Sequence, residues 1–87
     1  MRLITQLEGF AHLYARRMTA LKLAEDHPER GREYMAEWAG LSAAEDRTTL
    51  LYSPDPRLQA HYERGLADGR MILYVHGVRE LAGREAA

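Results

Sequence analysis

Two short stretches of this chain cannot continue a helix: His27-Pro28 and Ser53-Pro54-Asp55-Pro56. The residue before a proline is pushed out of helical torsions, and proline lacks the N–H that would bond back into the preceding turn. The segments between these breaks therefore read as separate elements, with no internal repeat, low-complexity tract or linker among them. At 87 residues the chain reads as one domain, residues 1–87, with room for one modest core.

Residues 2–26 read as one amphipathic helix. Leu3, Leu7, Phe10, Tyr14, Met18 and Leu21 recur at steps of three and four and make a continuous stripe, widened by Ile4, Ala11 and Ala15. Arg16, Arg17 and Lys22 lie off that stripe. A second helix is expected over 28–39. Asp26 is its N-cap with Glu29 as the reciprocal partner, Tyr34, Trp38 and Leu41 form its apolar side, and Gly40 is its stop. Ser42-Ala43-Ala44-Glu45 has the form of a capping box and opens a third helix over 43–52. Asp55 caps a fourth, 56–68, with Pro56 at its first position and Gly69 as its stop. Leu58, Tyr62 and Leu66 share one side of it. Met71-Ile72-Leu73-Tyr74-Val75 then reads as a short C-terminal helix or strand near 71–81. The expected fold class is mainly α, a compact bundle of about four helices; the alternative is α+β with a two-strand pair 48–52/71–75. Phe10, Tyr14 and Trp38 are the expected core aromatics, with at least one or two of the five tyrosines left exposed for a partner.

Composition excludes several kinds of chemistry. The chain has no cysteine, so disulfides, thiolate metal sites and cysteine nucleophiles are absent. That usage, the early Glu8 that interrupts any signal-peptide core, and apolar runs far short of the ~20 residues of a membrane span point to a cytoplasmic protein away from membranes. Twelve basic residues against thirteen acidic ones leave a formal charge of −1, without the positive excess of a non-specific nucleic-acid binder. Eleven of the twelve basic residues are arginine. A GC-rich genome explains that bias; a contact surface is the functional reading, since arginine and tyrosine are favoured at interface hot spots.

Catalytic and cofactor signals are thin. Ser42 and Ser53, the only serines, sit where caps and turns want hydroxyls. Gly65-Leu66-Ala67-Asp68-Gly69 has two glycines four apart but not the lysine and hydroxyl of a phosphate loop, and such a pair serves instead for close helix packing or a helix stop. His12, His27, His61 and His76 are never three or four apart, so no helical metal pair exists. No cofactor or metal is expected. Ala36-Glu37-Trp38-Ala39-Gly40-Leu41-Ser42 resembles the centre of a helix-turn-helix, with Ala36 as the small residue and Gly40 in the turn. Asp46 stands where that motif needs an apolar side chain, and the recognition helix would present carboxylates to phosphates.

Charge is uneven along the chain. Residues 1–24 carry four basic groups against Glu8, whereas 25–46 carry seven acids against Arg30 and Arg32. A solvated helix face accounts for that acidic stretch; the sharper reading is a negative patch that docks on a basic protein surface. The expected function is a small non-enzymatic protein-binding module, an adaptor or an inhibitor of a larger assembly. Inhibitors of host nucleic-acid-handling complexes, of the kind that phages and other mobile elements carry, fit this remainder. The expected contact residues are Glu29, Glu33, Glu37, Tyr34, Tyr62 and Arg64, with another protein as partner. The long first helix can also pair with its own copy. A helix-turn-helix-like DNA-binding regulator and a small enzyme or ligand-binding protein are the alternatives.

Overall fold

The first proline break separates α1 (Arg2–Asp26) from α2 (Gly31–Asp46), with a single 3-10 turn, Pro28–Arg30, between them; the second precedes α3 (Pro56–Val75). The structure is a computed structural model, described here for residues 2–46 and 51–75. At the first break His27 N–H donates to Leu23 O at 2.9 Å, and Arg30 N–H donates to His27 O at 2.9 Å. Asp26 does not act as the expected cap. It is the last residue of α1 and its carboxylate accepts from Lys22 Nζ at 3.2 Å, while His27 holds the N-cap position with no side-chain capping bond. The second break forms as its residues imply. Asp55 Oδ1 accepts from Arg57 N–H at 2.9 Å, and Gln59 Oε1 accepts from the backbone N–H groups of Tyr52 and Ser53 at 2.9 and 3.1 Å.

The described residues hold three α-helices where about four were expected, and no strand. Helix α2 passes through Gly40 to Asp46, which merges the expected 28–39 helix with the start of 43–52. Ser42 lies mid-helix and its Oγ donates to Trp38 O at 3.0 Å, so the Ser42–Glu45 capping box does not form. Helix α3 likewise passes through Gly69 to Val75. That helix overturns the α+β alternative, because residues 71–75 are helical and Leu51 and Tyr52 are in no strand. Residues 47–50 and 76–81, on which parts of the third helix and of the C-terminal element fall, lie outside the described residues.

Both glycines continue their helices because another helix occupies the space of their missing side chains. A Cβ on Gly40 would stand 2.6 Å from Leu66 N, and one on Gly65 2.9 Å from Glu37 C. A Cβ on Gly69 would stand 2.6 Å from Ala44 Cβ. Ala36, Gly40 and Ala44 follow one i+4 ridge of α2, and Gly65 and Gly69 follow one of α3, so the two backbones meet along a seam of small residues. Each helical glycine costs roughly 1 kcal/mol of helix propensity, which the close approach offsets. Tyr62 and Leu66 fill out this seam with Ala36, Ala43 and Ala44.

Helix α1 lies mainly against α2, with a smaller contact to α3. Leu13 and Ala20 are 1% and 0% exposed, packed with Leu41 and Leu73 and flanked by the half-buried Trp38 and Ile72. The apolar stripe of α1 faces the other way. Leu7 and Tyr14 are each 59% exposed, and Phe10 and Met18 are exposed as well. Phe10 and Tyr14 are therefore not core, contrary to the expectation from the stripe; Trp38 is half-buried, at the core's edge. At 3.6 residues per turn, Leu13 and Ala20 point roughly 120–180° away from Leu7, Ala11 and Met18. The physical reason is what the buried side carries. Gly9 and Ala20 are buried there, and Arg16 and Arg17 meet carboxylates of α2 and α3. The body measures 43 × 26 × 14 Å, a thin body in which α1 touches both α2 and α3 on one side and keeps an outward face on the other.

Candidate functional site

Two of the four acidic residues of α2, Glu33 and Glu37, turn inward, while Glu45 and Asp46 stay exposed. Glu37 is buried and ties the three helices together: Oε1 accepts from Arg16 Nη2 of α1 at 3.1 Å, and Oε2 lies 3.0 Å from His61 Nδ1 of α3. Arg16 Nη2 also donates to Asp68 Oδ2 of α3 at 3.3 Å. The other imidazole nitrogen, His61 Nε2, lies 3.2 Å from Glu33 Oε2, and Glu33 pairs in turn with Arg57. Arg17 pairs with Glu45 and sets its guanidinium 5.9 Å from the Trp38 ring centre. The contrast between a basic α1 and an acidic α2 is thus spent inside the molecule, as the charge complement that orients α1 on its neighbours.

This arrangement disperses the expected contact residues. Glu33 and Glu37 converge, but on His61 and the arginines. Tyr62 is buried and stacks on Tyr52 at a ring separation of 5.2 Å. Glu37 and Tyr62 are therefore 6% and 5% exposed. Glu29 and Tyr34 meet at the α1–α2 corner: Glu29 lies 3.6 Å from His27, whose ring is tilted against Tyr34 at 6.2 Å. In the same corner a hydrogen bond to Tyr34, then the charges of Tyr34 and Glu33, raise the Arg30 pKa above its ordinary value. Arg64 is exposed on α3, apart from both groups.

The helix-turn-helix resemblance also dissolves. Residues 36–42 lie within the unbroken α2, so Gly40 makes no turn and Ala43–Asp46 is the last turn of the same helix. Both serine hydroxyls serve the backbone; Ser53 Oγ accepts from Asp55 N–H at 3.1 Å and Ser42 Oγ donates to Trp38 O. Among the described residues no group of three histidines or carboxylates is placed to hold a metal ion. None of the described helices is long and apolar enough to cross a membrane.

Two surface features remain. One is an open groove of about 570 Å³ where the end of α1 meets the start of α2 and the 51–55 loop, with Leu21, Met35, Tyr52 and Leu58 as its apolar walls and Glu25 and Arg32 at its rim. The other is the outward face of α1, where Leu7, Phe10, Tyr14 and Met18 stand exposed on one helix side with Ala11 and Ala15 among them. Reading the stripe as core hid this face. The signal that separates the two is the adjacent Arg16-Arg17 pair, because an acidic second helix draws that side inward. No family model, curated protein or solved structure matches the chain.

Proposed function

We propose that this chain is a small non-enzymatic protein-binding module, of the adaptor or inhibitor type, whose docking element is the outward face of α1. One observation carries the reading: a long helix turns Leu7, Phe10, Tyr14 and Met18 to solvent while the side with Leu13, Arg16 and Ala20 packs inward. Exposing Leu7, Phe10, Tyr14 and Met18 together is unfavourable unless a protein surface covers them, and contiguous apolar patches of this kind mark interaction sites. Tyrosine, phenylalanine and methionine are also the residue types enriched at the centres of interfaces. The acidic residues then serve the fold, and recognition passes from charge to shape and apolar area.

The test compares wild-type chain with Tyr14→Glu and Met18→Glu as baits for complex formation in extracts of the source cells. Circular dichroism confirms equal helix content. Complexes that form with wild type and are lost with both variants support the reading; complexes indifferent to both overturn it. The groove beside Met35 favours a second reading, as a small-ligand binder. Met35→Trp, which narrows the groove without touching the α1 face, separates the two.

A further inference from the structure

We propose that the occupant of the outward face of α1 is a second copy of this chain, docked antiparallel about a two-fold axis passing between residues 12 and 13. The inference rests on the reading of α1 as a docking face and adds the partner. Leu7, Ala11, Tyr14 and Met18 are spaced four, three and four apart, a sequence of steps that reads the same in reverse. That is a heptad pattern, with Ala11 and Met18 at a positions and Leu7 and Tyr14 at d. Reversing one copy onto the other sets each a position against a d position. Leu7 then meets Met18 of the other copy, and Ala11 meets Tyr14, a small side chain against a large one.

Charge selects the antiparallel arrangement. Glu8 and Lys22 occupy e positions, and Arg17 occupies a g position. A parallel pair would set Arg17 of one copy beside Lys22 of the other, like charges at the seam. The antiparallel pair sets e flank against e flank and brings Glu8 toward Lys22, opposite charges. Leu7, Phe10, Tyr14 and Met18 leave roughly 400 Å² of surface open per copy, about half of the ~800 Å² per partner of a standard interface, so the exposed Glu8, Ala11, Ala15 and Lys22 around them have to supply the remainder. Glu8 and Lys22, both exposed, form its rim.

The experiment is sedimentation equilibrium of the full chain over a concentration series. Wild type sediments at twice the chain mass. Leu7→Glu alone and Met18→Lys alone each raise the dimer dissociation constant by about tenfold or more, while the double variant, which sets opposite charges in the same layer, recovers to within about threefold of wild type. Because the chain has no cysteine, Leu7→Cys mixed with Met18→Cys gives a disulfide-linked pair, and Leu7→Cys alone gives none. A monomer at every concentration, or a dimer indifferent to both single substitutions, overturns the proposal. A monomeric wild type that still loses a different protein partner through Tyr14→Glu refutes the self-pairing and leaves the docking face standing. A monomer with no α1-dependent complex refutes both.

Discussion

A Cβ added to Gly40 would stand 2.6 Å from the backbone nitrogen of Leu66. The obstacle is main chain on a neighbouring helix, so no side chain can swing aside to relieve it. Gly40→Ala is expected to cost about 3 kcal/mol or more, with Gly65→Ala similar, because each forces α2 and α3 apart along the whole seam. Gly31→Ala is the contrast: its Cβ would sit 3.7 Å from Ala24 O, and its backbone is already right-handed helical. That substitution should stabilise by about 0.5–1 kcal/mol. Urea unfolding of the three variants measures the difference in sign.

The orientation of α1 is tested by neighbours in sequence. Leu13 is buried among Leu41 and Leu73, and Leu13→Ala is expected to cost about 3–4 kcal/mol. Tyr14, one residue on, is exposed, and Tyr14→Ala should stay within about 0.5 kcal/mol in the isolated monomer. Thermal unfolding at low concentration reads both. Equal losses at the two positions would mean that the stripe, and not Leu13, faces the core.

The charged node predicts a graded response. Glu37→Ala leaves Arg16 and His61 without their shared carboxylate at the meeting of three helices, and is expected to cost about 3 kcal/mol, held below the upper range by the partial exposure of Arg16. Lys22→Ala removes an exposed pair with Asp26 and should change stability by less than about 0.5 kcal/mol. Denaturant midpoints of the two variants decide whether the acidic helix acts inside the fold. A Glu37→Ala variant as stable as Lys22→Ala would return Glu37 to the surface.

Two residues that look alike as caps should separate. Asp55 accepts the Arg57 N–H at the start of α3, so Asp55→Ala is expected to cost about 1 kcal/mol. Ser42 spends its hydroxyl on a carbonyl inside α2, a bond that gives the helix little, and Ser42→Ala should be neutral within about 0.5 kcal/mol. Calorimetric melting of both variants checks this, and a larger loss for Ser42→Ala would revive a helix start at that position.

Local chemistry made much of the fold legible. The limits of α1, the interruption at His27-Pro28 and the start of α3 at Asp55-Pro56 follow from torsions and missing donors within a few residues, and the structure places them there. The stops at Gly40 and Gly69 were misread for a definite reason. A helical glycine and a terminating glycine look identical in sequence, and only the backbone of Tyr62–Leu66 or the Ala44 side chain, brought near by the fold, distinguishes them. The surroundings of the acidic run were illegible for a related reason: the run is local, but its partners Arg16, Arg57 and His61 come from the other two helices.

The sequence by itself determined where this chain must break, at His27-Pro28 and before Pro56, because proline geometry acts over one turn and needs no distant partner. Only the tertiary structure decided which side of α1 is buried. That choice weighs apolar area against fit and charge, and here the narrow side with Leu13, Ala20 and Arg16 closes on α2 and α3 while the bulkier stripe is left in water. The imbalance leaves α1 with an apolar face that a second molecule can cover.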